Sequence, residues 1–425
     1  MHSVERRSRQ QGAVIITVAM VLLFLLGFIG LALDFGKLFV VRTELQTALD
    51  SCALAAAEEL DGQPSALTRA TNAGLTAGNL NNVNFQSSTW SGKGQLAAGD
   101  ITFRDAAYTA TTVPASARYV QCDHAQPGVQ LWLMQALGAF SGATGTFANT
   151  HNVAASAVAT RASAQSSCPV PVAFTPPPGG TKANNYLLQV GQWVQVIGSR
   201  TPGSGEIGWY NLDGSTGARE TKDQLEGGTC GNKVGDQLGT PGVKTAVDTV
   251  WNYRFGVYKN SGDPSVNHPD FSGYSYTATN WKNAVPQNAW NGTPAAGSDP
   301  TAQNFVTKRA AFASYDNTGT DIRDGSRIVF GVANKLNSFQ KLATPGSTGQ
   351  HHNFGADRRL VTVPVIDANR RVTDYLCMFM LHPLSGPNDD AFIEFRGSAG
   401  AVGSPCTTVG LAGGAAGPLV PVLVR

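Results

Sequence analysis

Residues 11–60 read QGAVIITVAMVLLFLLGFIGLALDFGKLFVVRTELQTALDSCALAAAEEL, and the fold follows from how this stretch divides. Ala13 to Leu33 runs 21 residues without a charge. As a helix it would be about 32 Å long, the thickness of a bilayer's hydrocarbon core. Arg6, Arg7 and Arg9 precede it, with Glu5 the only nearby acid. The positive-inside rule then puts the N-terminus in the cytoplasm and the rest of the chain outside. A cleaved signal peptide is the competing reading, with Gly30 and Ala32 as small residues near a cleavage point. A signal's apolar region is typically about 7–15 residues, however, and here the helical pattern continues past that point.

That continuation is the second half of the stretch. Lys37 to Leu60 holds no Gly or Pro, and Leu38, Val41, Leu45, Ala48, Cys52 and Ala55 form one apolar seam at alternating spacings of three and four. Asp61, Gly62 and Pro64 supply the stop. The sequence therefore predicts a helix of about 72 Å from Ala13 to Leu60, with a bend at Gly36 as one reading. Gly27, Gly30, Ala32 and Gly36 would let a second helix approach closely. We take Gly27, Gly30, Gly36, Leu38, Val41, Leu45 and Ala48 as candidate helix-packing positions, with contacts in the membrane and along the 38–55 seam expected to supply the partner interfaces.

The same residues carry a resemblance. Gln11-Gly12-Ala13-Val14 opening the span, Ala32-Leu33-Asp34-Phe35-Gly36 closing it, Arg42-Thr43-Glu44-Leu45-Gln46 and the Ala-rich run after them resemble the N-terminal region of TadE/TadG-like Flp-pilus assembly proteins. Looser similarity lies at Gly242 to Thr245, Trp251 to Tyr258 and Arg358 to Val365. The resemblance implies a structural role in assembling, initiating or capping a pilus, with other pilus proteins or pilins and the bilayer as partners. Two features depart from relatives. If Gly12 were a prepilin processing glycine, the fifth position would be Thr17 rather than glutamate. The Asp-x-Ser-x-Ser metal motif of von Willebrand A domains is approached only at Asp270 to Tyr274, which ends in Tyr.

Beyond the helix the expected class is α+β: a pilin-like transmembrane helix, a mixed α/β head and a β-rich distal domain. The expected boundaries are a basic cytoplasmic tail at 1–12, the span at 13–33, an exported shaft extension at 34–60, a small α+β unit at 61–165, a Pro-rich linker at 166–180 and the distal domain at 181–425. In the small unit, Ser65 to Ala77 and Pro127 to Leu137 read as helices, and Ile101 to Arg104, Ala117 to Cys122 and His151 to Arg161 as strands. AFTPPPGG at 173–180 is the clearest linker signal. Strand patterns follow at Tyr186 to Ile197, Gly208 to Leu212, Arg327 to Val332, Arg359 to Ile366, Tyr375 to Leu381 and Ala391 to Arg396.

Charge is sparse, at 14%, and balanced, with 31 Lys and Arg against 29 Asp and Glu. That balance gives no electrostatic footprint for nucleic acid. The 48 glycines, against roughly 30 at ordinary usage, signal turns. Six cysteines all lie beyond the span, which favours disulfides in an exported segment. Cys377 with Cys406 is the best-supported bridge, followed by Cys168 with Cys230 and Cys52 with Cys122; a buried thiol at Cys52 is the alternative.

We find no catalytic set, no cofactor motif and no metal-ligand spacing. His351-His352 with Asp357 reads as a loop, and Asp316 to Asp321 with Asp324 lacks the ladder and closing Glu of an EF-hand. Asp213-Gly214 and Asp389-Asp390 read as turns. The expected function is thus structural, in the inner membrane as a single-pass protein, with exposure at the cell surface if it enters a pilus. The alternative is an exported adhesin whose distal domain binds a glycan or host surface. That alternative needs Trp251, Tyr253, Tyr258, Tyr274, Tyr276, Trp281 and Trp290 to converge on an exposed face; a scaffold would bury them.

Overall fold

A computed structural model describes residues 11–83, 95–131, 150–242, 247–255, 276–278, 280–282, 285–298, 302–310, 359–384, 386 and 388–424. The expected strand at 327–332, the histidines at 351 and 352, Asp357 and the 316–324 turn lie outside these residues. The chain forms two compact units, residues 1–161 with 421–425, and residues 162–420.

The first unit is built on α1, Gln11–Glu58, a single helix that runs through Gly36 without interruption. Gly62 turns the chain with φ 77°, a left-handed conformation that glycine adopts without a Cβ clash. Helix α2, Ala66–Asn79, then returns along α1. Its inward residues are Ala66, Ala70, Gly74 and Gly78, four small residues at i+4 spacing. A Cβ on Gly74 would lie 3.0 Å from Ile101 Cδ1 and 3.2 Å from Ala56 Cβ, and one on Gly78 would collide with Leu96. The Ala-rich end of α1 therefore has a local cause: it lets α2 approach until only glycine fits. Arg69 clamps the turn, donating to Glu59 Oε2 at 2.8 Å and to Asp61.

Opposite α2 lies an antiparallel sheet of β1 (Ile101–Arg104), β2 (Tyr119–Gln130), β3 (Thr150–Ser163) and the C-terminal strand Leu419–Leu423, in that order. Val120 pairs with Ala159 and Cys122 with Ala157, so small and β-branched side chains face the helix. The helix predicted over Pro127 to Leu137 is corrected at its start, while residues 132–137 lie outside the described residues. Residues 127–130 belong to β2, where a register shift between Gln126 and Val129 forms a bulge with Gly128 at φ 71°. A bulge is where a strand tolerates proline, because no ladder hydrogen bond is needed there.

The second unit is a closed six-stranded barrel. Its strands are β4 (Val172–Phe174), β5 (Trp193–Ile197), β6 (Ile207–Trp209), β7 (Leu360–Ile366), β8 (Val372–Met380) and β9 (Ala391–Ser398), ordered β4-β6-β5-β9-β8-β7. The C-terminal strand is β10. Pairs β5–β6 and β4–β7 are parallel and the others antiparallel. Phe174, Val196, Trp209, Val363, Met378 and Phe395 are among the side chains that fill the core. Short helices α3 (Ala218–Asp223), α4 (Val247–Tyr253) and α5 (Phe305–Ala310) decorate it.

Two boundary expectations change. The predicted linker at 166–180 contributes β4 to the barrel, and the last five residues belong to the first unit rather than to the β-rich one. The predicted strand from Tyr186 begins only at Trp193. Asn185, Tyr186 and Leu187 instead form a left-handed turn with φ of 52°, 57° and 64°, which carries the Tyr186 hydroxyl to Asp374 Oδ2 at 3.0 Å. The structure joins Cys52 to Cys122, Cys168 to Cys230 and Cys377 to Cys406, and no described cysteine is free.

Candidate assembly interface

Helix α1 has two parts with opposite surroundings. Every large apolar side chain from Val14 to Phe28 is more than half exposed, Ile15 reaching 69% and Phe28 68%. Soluble monomers rarely expose a contiguous apolar surface of this length. Among the described residues α1 is the one helix long and apolar enough to cross a membrane. From Val41 onward the helix is covered by its own head: Val41, Leu45, Ala48 and Cys52 are fully buried against Val120, Cys122, Ala157 and α2.

This corrects the expectation that the 38–55 seam serves partners. The seam is apolar because β2, β3 and α2 occupy it, with Leu38 packed at its lower edge. Of the candidate packing positions, Gly27 is half-buried and Gly30 buried, while a Cβ on Gly36 would meet nothing within 4 Å. Gly36 and the exposed faces of the span remain open to other helices.

A different face of α1 is open to solvent. Phe35, Phe39, Thr43, Thr47 and Ser51 follow one another at i+4 on the outer side, with Phe39 67% exposed. Thr43 Oγ1 donates to Phe39 O at 2.9 Å, Thr47 Oγ1 to Thr43 O at 3.0 Å and Ser51 Oγ to Thr47 O at 2.9 Å. Because the hydroxyls bond back into the helix, this row asks little of a neighbour in hydrogen bonds. The i+4 recurrence of Phe, Phe, Thr, Thr and Ser was the available signal.

In the second unit, the aromatic residues do not gather on an exposed face. Trp251, Tyr276 and Trp281 are fully buried, and Trp290 stacks on Phe305 with centroids 4.9 Å apart. Tyr253 is half-buried against the core, and Tyr258 and Tyr274 lie outside the described residues. Four rings, Phe255, Tyr276, Phe305 and Phe379, surround the buried Arg359 guanidinium at 4.6 to 5.6 Å, a cation–π cage. Arg359 Nε also donates to Met380 O at 3.0 Å.

Glu394 is the second buried anchor. It accepts from Trp193 Nε1 at 3.0 Å, from the backbone N–H groups of Ala289 and Trp290, and from Arg396 at 2.8 Å. Burial pushes its carboxyl above the ordinary range despite these donors, and burial likewise pulls Arg396 down. The pair fastens the segment around residue 289 to β9. Asp390 is also structural, accepting from Gly198 N at 2.8 Å and Gln195 Nε2 at 2.7 Å. Asp213 caps its own turn through Ser215 N at 3.0 Å. No group of His, Cys, Asp and Glu suited to a metal occurs among the described residues.

A membrane-length helix continuing into the core of a small α+β head defines a helix-anchored, head-bearing class of protein. Residues 12–59 match the family described as "Putative Flp pilus-assembly TadE/G-like", and the matched segment is almost the whole of α1. No curated protein and no solved structure matches the chain.

Proposed function

We propose that this chain is a single-pass, pilin-like component of Flp-type pilus assembly, either a minor pilin or an assembly factor. Its N-terminus lies in the cytoplasm, α1 crosses the inner membrane near Ala13 to Leu33, and both folded units are exported. One observation carries the reading: the family segment coincides with a helix that is bare over the length of a bilayer and then becomes the core of a head. Three disulfides suit an oxidising compartment outside the cytoplasm. Of the aromatic residues that a glycan-binding adhesin would display, Trp251, Tyr276 and Trp281 are fully buried and Tyr253 and Trp290 half-buried in core clusters, which favours the assembly role.

Partners would then meet α1 within the membrane through its small residues. Replacing Gly27 and Gly30 together by leucine in the host should abolish piliation seen by electron microscopy, while the exported units keep their disulfides and protease resistance. Normal pili with that double variant would overturn the proposal.

A further inference from the structure

Strand β2 runs down the exported part of α1 toward the span, and three contacts mark the levels. Cys122 is bonded to Cys52, Gln46 Nε2 donates to Ser156 O on β3 at 3.0 Å, and Lys37 Nζ donates to Gln130 O at 3.0 Å. At 1.5 Å per residue, Cys52, Gln46 and Lys37 stand about 29, 20 and 6 Å beyond Leu33. From Cys122 to Gln130 a strand covers about 26 Å at roughly 3.3 Å per residue. That is close to the fall of about 23 Å between Cys52 and Lys37 along the helix. Thr150 pairs with Gln130 and His151 with Val129, so β3 begins where β2 ends.

The shared end of the two strands falls at headgroup level. The interfacial layer extends roughly 5 to 7 Å past the hydrocarbon core on each side. Helix side chains lean toward the N-terminus, here the membrane end, so the Lys37 ammonium meets Gln130 at or below its own level of about 6 Å. Gln130, Thr150 and His151 are exposed at this end. Composition points the same way. From His124 to Thr160 the sequence holds no Asp, Glu, Lys or Arg. The residues that join the two strand ends include Trp132, Leu133, Met134, Leu137 and Phe140. Tryptophan is enriched at the membrane–water interface, and a stretch without charges avoids the main cost of approaching lipid.

We propose that the lower end of the β2–β3 ribbon is a second membrane contact, with Gln130, Thr150 and His151 among the headgroups of the leaflet from which α1 emerges. The head then rests on the bilayer beside its anchor, and this support limits how far it tilts on α1. The inference rests on reading α1 as a membrane anchor. A second copy of the chain suits this end less well, because the bilayer lies directly below it.

The test uses the full chain in nanodiscs of phosphatidylethanolamine and phosphatidylglycerol, with photoreactive p-benzoylphenylalanine placed singly at positions 130, 150, 80 and 22. All four sites are exposed, so the changes spare the packing. Position 22 lies within the span. Position 80 marks the upper head: a Cβ on nearby Gly78 would lie 3.3 Å from Ala48 O, about 22 Å beyond Leu33. Irradiation should give phospholipid adducts by mass spectrometry at 22, 130 and 150, and none at 80. An adduct at 22 with none at 130 and 150, or a covalent dimer through 130, would overturn the second contact while the anchor stands. Equal adducts at 80 and 130 would also overturn it, since the head would then lie against lipid without preference for this end. Absence of lipid at position 22 would overturn the anchor reading and the contact with it.

Discussion

Cys52, in the last two turns of α1, is bonded to Cys122, the fourth residue of β2. The bond closes a 70-residue separation and ties the anchor helix to the sheet of its head. Loop-closure entropy for a ring of that size is worth about 4 kcal/mol, within the usual range of about 2–5. Replacing both cysteines by alanine should lower the head's unfolding free energy by that order in denaturant titrations in detergent. It should also expose amides of residues 41–58 to hydrogen exchange. Unchanged stability would mean that the helix is held by packing alone.

The contact between α1 and α2 depends on absent side chains. Gly74→Leu should destabilise the first unit by at least about 1–3 kcal/mol, since the added atoms would meet Ile101, Ala56 and the Cys52 carbonyl. Leu45→Lys should unfold the same unit, because it places an unpaired charge in a fully buried position. Loss of pili in that variant would therefore report folding, not a lost partner contact. Circular dichroism and protease resistance distinguish the two.

Glu394→Ala should cost the second unit about 3–5 kcal/mol, by leaving Arg396 buried and stripping the backbone of Ala289 and Trp290 of its acceptor. Limited proteolysis should cut first near residue 289. Replacing Glu394 and Arg396 together by methionine should cost less than the single change, since no unpaired charge remains.

Glu206 should shape the acid limb of stability. Its carboxylate accepts from Arg200 at 2.7 Å and from Gly203 N at 2.6 Å, and these hydrogen bonds hold it below the ordinary value of 4.5. A carboxyl depressed in the folded state contributes stability above its unfolded value, and that contribution is lost as the pH falls through the lower folded value. Glu206→Gln should flatten the dependence of stability on pH below about 4.5 and leave the slope at neutral pH unchanged. Urea unfolding at stepped pH reads both.

The helix was legible because a 21-residue uncharged run followed by a seam without Gly or Pro admits few other readings. Periodicity shows that a face is buried, but not what buries it. The seam through Val41, Leu45 and Ala48 therefore suggested partners, whereas β2, β3 and α2 cover it. The barrel was only partly legible. Strands β7, β8 and β9 follow apolar runs, but β4 and β6 are three residues each and β4 abuts a proline run that reads as linker. Closure depends on long-range pairs such as Phe174 with Val365, which no local pattern encodes. The outer row from Phe35 to Ser51 is hard to read in the sequence because threonine carries no apolar signal; only its hydroxyl's bond within the helix makes the row self-satisfied.

The first unit's sheet takes its fourth strand from the far end of the chain. Val424 N donates to Val158 O at 2.9 Å, and residues 162–420, which form the other unit, lie between the two in the sequence. Until residues 419–424 are present, the sheet of β1, β2 and β3 stays one strand short, with β3 an open edge. Closing the sheet thus couples the first unit to residues that follow the barrel in the sequence: a chain cut anywhere within residues 162–420 would lack the strand that covers β3.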